Sequence, residues 1–313
     1  MKALLHYRAS PGFRAAIERA APDWLEVAIV DEDDTESFSE ELPDTAVLLH
    51  VLEPVTADMI AAAPELKLIQ KIGVGVNTID LDAARSTNVA VANMPGTNSR
   101  AVAEMTLALM LGVLRRLTYL DPLTRAGDGW SPDPEQMDGI GEVAGRTVGL
   151  VGFGEIPQRL APILEAMGAE VIFAAREDRE GDQRQVDLSE LVERSDIVSL
   201  HIPLTAETER MFDAEMLARM KPGAVLINTA RGGLVDQPAL TEALVEGRLG
   251  GAGLDVFARE PVEAGDPLLT LPNVVVAPHI AWLTPETLER SMGVAFENCR
   301  RVRDGEPLLH RVC

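Results

Sequence analysis

Cysteine is almost missing: 313 residues contain two, Cys299 and Cys313, with no metal-ligand spacing between them. A disulfide framework is thereby excluded, and such sparing use is expected of a reducing compartment, the cytoplasm. Positive charge is scarce as well. Against 50 Asp and Glu stand 28 Lys and Arg, a net charge of −22 with an isoelectric point near 4.6. That balance argues against nucleic acid and anionic membrane surfaces, both of which attract clustered Lys and Arg. No apolar run approaches the roughly 18 residues of a membrane span, and the N-terminal run Ala3 to Leu5 is too short for a signal peptide. Solenoid repeats and low-complexity tracts are absent too. What the chain does hold is 46% hydrophobic residues at a mean hydropathy of +0.06, ample for packed cores and too much for wholesale disorder. Its length is typical of two domains.

Short apolar runs alternate with helical patterns, the signature of βαβ units around a parallel sheet. Strands are expected at Ala3–Leu5, Leu25–Val30, Ala46–Leu49, Leu66–Ile72 and Val89–Ala92, and Ser10-Pro11 opens a helix through Arg19. The acidic stretch Asp31 to Asp44 lacks calcium-loop spacing and reads as a solvated loop and helix face. Residues 101–120 read as one long helix too apolar for a free surface. Residues 121–145, with prolines at 122, 132 and 134, read as an irregular arm. Together they suggest a two-fold homodimer. At Thr147 the rhythm restarts with a strand at 147–151, a helix to Met167 and a strand at 170–174, which places a second domain at residues 98–286. The tail, Glu286 to Val302, is again helical.

Between the strand and helix of this second domain lies Gly152-Phe153-Gly154-Glu155-Ile156-Pro157. In a dinucleotide fold the first glycine permits the tight turn, and the second lets the backbone approach the pyrophosphate. The helix N-terminus then offers N–H groups to the phosphates. Pro157 stands where a third glycine is usual. It costs little in a first turn but lacks the compactness that brings helix and strand close. The next strand ends in Ala174-Ala175-Arg176, with Arg179 nearby, where NAD-specific sites carry an acid for the ribose 2′-hydroxyl. An arginine there suits a 2′-phosphate, while Glu177 and Asp178 beside it oppose one. The reading is NADP(H), with NAD possible.

Six ordered segments, GVGVNTID (73–80), NMPGTNSRAVAE (93–104), SLHIPLT (199–205), INTARGGLVD (227–236), LDVFAREP (254–261) and APHIAW (277–282), resemble the D-2-hydroxyacid dehydrogenase family, in particular its glyoxylate and hydroxypyruvate reductases. The resemblance implies an α/β chain with two Rossmann- or flavodoxin-like domains. The nucleotide-binding domain, 98–286, is inserted into a substrate domain made of residues 1–97 and 287–313. It further implies a catalytic set of Arg231, Glu260 and His279, and the chemistry needs those types. A histidine exchanges the proton of the forming hydroxyl near neutrality. A neighbouring glutamate favours the imidazolium and orients the ring. An arginine binds the substrate carboxylate and polarises the carbonyl.

By the same carry-over, Gly152 through Ile156, Arg176, His201, Pro203, Thr229, Ala230 and Asp255 border the cofactor, with Asp255 accepting from the carboxamide. Val74 and Gly75 hold the carboxylate through backbone N–H groups, and Trp282 narrows the pocket. His6, His50 and His310 show no chemical partner and no metal spacing, and no metal site is expected. The segment His50-Val51-Leu52-Glu53 lacks the arginine of phosphoglycerate-specific members, and the residues after the closing helix leave no room for their regulatory domain. A small 2-oxo acid is therefore the expected substrate. The alternative is a nucleotide-binding sensor resembling the family's corepressors, with little or no turnover. The acidic charge and the lack of a disordered extension speak against it.

Overall fold

A computed structural model describes residues 1–177, 179 and 181–313; Asp178 lies outside the described residues. The chain forms two compact units, the first of Met1–Asn98 with Trp282–Cys313 and the second of Ser99–Ala281. The return crossing thus falls between Ala281 and Trp282, ahead of the residue 286 expected from the sequence. The cause is Trp282, whose ring is 8% exposed in the core of the first unit and meets Tyr7 edge-on at 6.0 Å.

The first unit is built on β1 (Lys2–His6), β2 (Glu26–Val30), β3 (Val47–His50), β4 (Leu68–Lys71) and β5 (Ala90–Ala92), all parallel, in the order β2-β1-β3-β4-β5. Both faces are covered, so alternate residues enter different cores and each strand reads as a continuous apolar run. Ala3 and Leu5 pack with Phe13, Ile17, Met292 and Phe296 from helices Pro11–Ala20 and Pro285–Asp304. Leu4, Leu48 and Ile69 pack on the other face with Phe38 and Ile60. Ser10 caps the first helix by accepting from the Phe13 N–H, and Pro11 stands where its missing N–H has no cost. The acidic stretch supplies helix Thr35–Glu41, capped by Asp34.

The second unit contains β6 (Thr147–Val151), β7 (Glu170–Ala174), β8 (Ile197–Leu200), β9 (Val225–Asn228), β10 (Gly251–Leu254) and β11 (Val274–Val276), parallel in the order β11-β10-β9-β8-β6-β7. The expected helix over 101–120 is two. Helix Ser99–Leu114 ends before Arg116, which adopts a left-handed conformation (φ 51°), and helix Leu117–Ala126 follows. The apolar character of the first is explained within the chain: Leu109, Met110 and Val113 are buried in one cluster with Leu164, Val225 and Ile227. It is therefore no argument for a second subunit. The expected arm is partly regular, with Pro122 inside helix Leu117–Ala126 and Pro134 opening the short helix Pro134–Met137. Among the described residues no helix is long and apolar enough to cross a membrane.

Two histidines of the first unit, His6 and His50, do have partners. His6 stacks on Phe38, ring centroids 4.1 Å apart. His50, 3% exposed at the end of β3, places Nε2 2.7 Å from the Glu53 carbonyl, so that nitrogen carries the proton. Burial first, and then the Lys71 charge, push its pKa from the ordinary 6.5 down to about 3. The unfolded chain therefore binds a proton at His50 between about pH 6.5 and about pH 3 that the folded protein rejects. The stability this neutral ring supports is complete above that window and is lost as pH falls through it. Denaturant titrations at stepped pH below 6.5 should show His50→Gln losing less stability per pH unit than the parent, by about 1.4 kcal/mol. Equal slopes would mean that His50 titrates normally in the folded protein.

Candidate active site

Arg231, Glu260 and His279 stand on the loops that leave the carboxyl ends of β9, β10 and β11, three neighbouring strands. The loop of Arg231 is shaped by Asn228, 1% exposed, whose Oδ1 accepts from the Ala230 N–H at 3.0 Å and whose Nδ2 donates to the Arg231 carbonyl at 2.9 Å. Thr229 is tied down separately. Thr106 Oγ1 already donates to the Val102 carbonyl, so the 2.9 Å contact between the two hydroxyls is donated by Thr229. Gly232 follows, where a Cβ would lie 1.9 Å from the backbone carbon and oxygen of Phe257. Only glycine lets the β9 and β10 loops close to this distance.

From that contact the network continues to the histidine. The Phe257 N–H donates to Glu260 Oε1 at 2.9 Å, and His279 Nδ1 donates to Glu260 Oε2 at 2.6 Å. Burial pushes the Glu260 carboxyl up, but the hydrogen bond and charge of His279, the Phe257 N–H and the Arg231 charge together hold it below the ordinary carboxylate value. Glu260 is thus an anion, and the imidazole keeps its Nδ1 proton. Arg231 is drawn below the usual arginine range by burial, with the Glu260 charge opposing.

His279 has φ 57°, a left-handed conformation that costs a side-chain-bearing residue about 1–2 kcal/mol. Asp255 holds it there. The His279 N–H donates to the Asp255 carbonyl at 2.7 Å, and the N–H groups of Ile280 and Ala281 donate to Oδ1 and Oδ2, each at 2.9 Å. The Asp255 carboxyl is pushed up by burial, and its two N–H partners and His279 oppose that shift without cancelling it. At 1% exposure, both oxygens are engaged in shaping the histidine turn. Sequence reasoning gave Asp255 to the carboxamide and passed over Asn228, although both stand inside the quoted segments.

The other strand ends form the candidate nucleotide site. Gly152, after β6, has φ +92°, and a Cβ there would come within 2.6 Å of the His201 carbonyl. A Cβ on Gly154 would meet nothing within 4 Å, so the start of helix Glu155–Ala166 is open on that side. Unhindered glycine backbone running into a helix N-terminus fits a dinucleotide pyrophosphate. Phe153 contributes main chain only, since its ring stacks on Phe173 at 3.8 Å and its carbonyl accepts from Gln158 and Arg179. Ile156 is half-buried, and Pro157, the third residue of the helix, is buried. Arg176 is exposed beyond β7, and Arg179 Nη2 reaches the Phe153 carbonyl at 2.9 Å. Arg184 is committed to Asp182 and Glu165. His201, after β8, contacts Ser199 Oγ at 2.9 Å, and burial lowers its pKa to about 3. Pro203 is exposed, its carbonyl accepting from Thr208.

Val74 and Gly75 belong to the first unit. The carbonyls of Gly73 and Val74 accept from the Met94 N–H and from Asn93 Nδ2, which fixes that loop after β4. Trp282 also belongs to the first unit, where it packs in the core. Among the described residues no group of three or more His, Cys, Asp or Glu is arranged to hold a metal ion.

Comparison with known proteins identifies the family. The sequence pattern of the D-isomer specific 2-hydroxyacid dehydrogenase NAD binding domain matches residues 107–281. A glyoxylate reductase of Korarchaeum cryptofilum is 39% identical over 274 residues, covering 85% of this chain and 82% of that one. A D-3-phosphoglycerate dehydrogenase of Mycobacterium tuberculosis is 38% identical across 92% of this chain, which spans 54% of that longer relative. The crystal structure of an NADPH-dependent glyoxylate/hydroxypyruvate reductase from Sinorhizobium meliloti, in complex with NADP and malonate, superposes with a TM-score of 0.84 at 28% identity, covering 100% of this chain and 96% of that one. With pattern, sequence and fold in agreement, the chain belongs to the D-isomer specific 2-hydroxyacid dehydrogenase family.

Proposed function

We propose that the protein reduces a small 2-oxo acid of the glyoxylate or hydroxypyruvate type to the D-2-hydroxy acid, with NADP(H) preferred to NAD(H). The observation that carries this reading is the 2.6 Å bond between His279 Nδ1 and a Glu260 held anionic. The nicotinamide cofactor, when bound, supplies the hydride. The imidazole supplies the proton: with Nδ1 on Glu260, Nε2 is the nitrogen left to protonate the forming alkoxide. The Arg231 guanidinium takes the substrate carboxylate and draws charge onto the carbonyl oxygen. The N–H groups of Val74 and Gly75 receive the same carboxylate. Main chain from Gly152 to Ile156 holds the pyrophosphate, while His201, Pro203, Thr229 and Ala230 border the rest of the cofactor.

A small substrate is supported by the segment His50 to Glu53, which contains no arginine for a phosphate. The NADP preference is supported by Arg176 beyond β7, by Arg179, whose Nη2 reaches the glycine loop at the Phe153 carbonyl, and by the NADPH dependence of the S. meliloti relative. A homodimer is also proposed, on a basis different from the apolar helix. Helix Leu117–Ala126 buries none of its residues, and Leu117 and Trp130 are exposed by 53% and 88%.

Nucleotide oxidation with glyoxylate and with hydroxypyruvate, NADPH and NADH side by side, is the direct test. Turnover with preference for NADPH is expected, and Arg176→Ala should remove most of that preference. Preference for NADH would discard the assignment of the arginines, and tight nucleotide binding without turnover would favour a sensor. His279→Ala should lower kcat by about 10²- to 10⁴-fold, the usual worth of a general acid, while leaving the nucleotide Kd unchanged. Retained turnover would remove His279 from proton transfer. Gly232→Ala drives a methyl group into the Phe257 carbonyl and should cost activity comparably by parting the Arg231 and Glu260 loops; near-normal kcat/KM would show that the contact is dispensable.

A further inference from the structure

The loop that carries Glu260 runs from Ala258, shortly past β10, to Asp266, and a single side chain ties its two ends. Gln237 Oε1 accepts from the Ala258 N–H at 2.9 Å, and Gln237 Nε2 donates to Asp266 Oδ2 at 2.5 Å. Those partners fix the orientation of the amide, because an N–H only donates and a carboxylate only accepts. Between its ends the loop has little core of its own. Ala258, Arg259, Pro261 and residues 263–265 are exposed, and Val262 is half-buried. The ion pair of Arg259 and Glu263 is solvent-exposed on both sides and holds little. Gln237, by contrast, stands on a firm base. It is the first residue of helix Gln237–Val245, which Asp236 caps by accepting from the Ala239 N–H at 3.1 Å. That helix buries Leu240 and Leu244 in one cluster with Phe257 and Leu268. Asp266 is fixed as well, its Oδ1 accepting from the Leu268 N–H at 2.9 Å. The peptide held at Ala258 is the one whose Phe257 carbon and oxygen press on Gly232. The segment that follows Arg231 thus grips this peptide from two sides.

The geometry points to Gln237 as the positioning residue of Glu260: its amide staples the 258–266 loop at both ends and so keeps the Glu260 carboxylate on His279. The inference rests on the roles proposed above for those two residues. Gln237 acts through the loop and not on the reacting atoms. With the staple cut, the carboxylate would drift, and a misplacement of about 1 Å is enough to cost about a hundredfold in rate. The acid-side behaviour of Glu260 would change with it. Burial pushes this carboxyl up, while the His279 hydrogen bond and charge and the Phe257 N–H hold it down. With those contacts loosened the carboxylate takes up its proton at higher pH, and activity that needs the anion is lost there.

The test is steady-state turnover across pH, with whichever of glyoxylate and hydroxypyruvate the parent protein reduces faster. Gln237→Leu removes both hydrogen bonds at nearly constant size. It should lower kcat about tenfold to hundredfold, leave the nucleotide Kd unchanged and move the acid limb of kcat to higher pH. Gln237→Glu keeps the acceptor for Ala258 but sets a second carboxylate against Asp266, and should be impaired to a similar degree. Gln237→Glu combined with Asp266→Asn reverses the polarity of that bond and retains the acceptors for the Ala258 and Leu268 N–H groups. This pair should recover most of the parent's kcat together with its acid limb. A parental kcat and acid limb in Gln237→Leu, or a loss that the reversed pair does not recover, overturns the inference and leaves the 2-oxo acid reading standing. Parent protein that binds nucleotide but turns over neither acid overturns both.

Discussion

A buried carboxylate that accepts two backbone N–H groups holds the geometry of the candidate site in place. Asp255 lies at the end of β10, and through its side chain and its carbonyl it fixes three successive peptides, 279 to 281. Without those bonds the left-handed turn at His279 has no compensation for its strain, and a relaxed turn would swing the imidazole away from Glu260. The bonds are charge-assisted and shielded from water, the condition in which such contacts are strongest. The rest of the constellation is stacked upon this one. Glu260 is set by His279 and by the Phe257 N–H, and Phe257 is pressed against Gly232, next to Arg231.

The second unit's sheet arranges these parts along one edge. In the order β11-β10-β9-β8-β6-β7, the carboxyl ends lead to His279, Glu260, Arg231, His201, Gly152 and Arg176. Six strands spaced by about 4.8 Å make an edge about 24 Å long. Arg231, Glu260 and His279 occupy one half, and Gly152 and Arg176 the other. The division falls beside the point where strand order reverses, between β6 and β8, as expected for an open α/β sheet.

Much of this was legible in the sequence because it rests on local necessity. Gly152 needs a positive φ and has no room for a side chain beside His201, and apolar runs bounded by turn residues mark strands covered on both faces. What stayed hidden depends on long-range contacts. Nothing in the run of apolar residues 101–120 announces the break at Arg116, because hydrophobic periodicity continues through a change of axis. The packing of Trp282 in the first unit's core is hidden as well, because its neighbours, Tyr7 among them, lie far away along the chain. The second task of Asp255 is invisible for a related reason: the N–H groups it binds lie twenty-five and twenty-six residues away.

The way the chain leaves the first unit and returns to it has a kinetic meaning. Strands β1 to β5 are followed by the whole of Ser99–Ala281 before helix Pro285–Asp304 arrives to cover Ala3, Leu5 and Leu49. Beyond that helix Arg311 adds a pairing with Ala92. The second unit is continuous and has its closing partners close at hand. The first must leave that face only partly covered, by helix Pro11–Ala20, until residues 285–304 have been made, and their contacts carry the entropy cost of closing a very long loop. During translation that partly covered face is prone to aggregation, a vulnerability that belongs to the order of assembly and disappears from the finished fold.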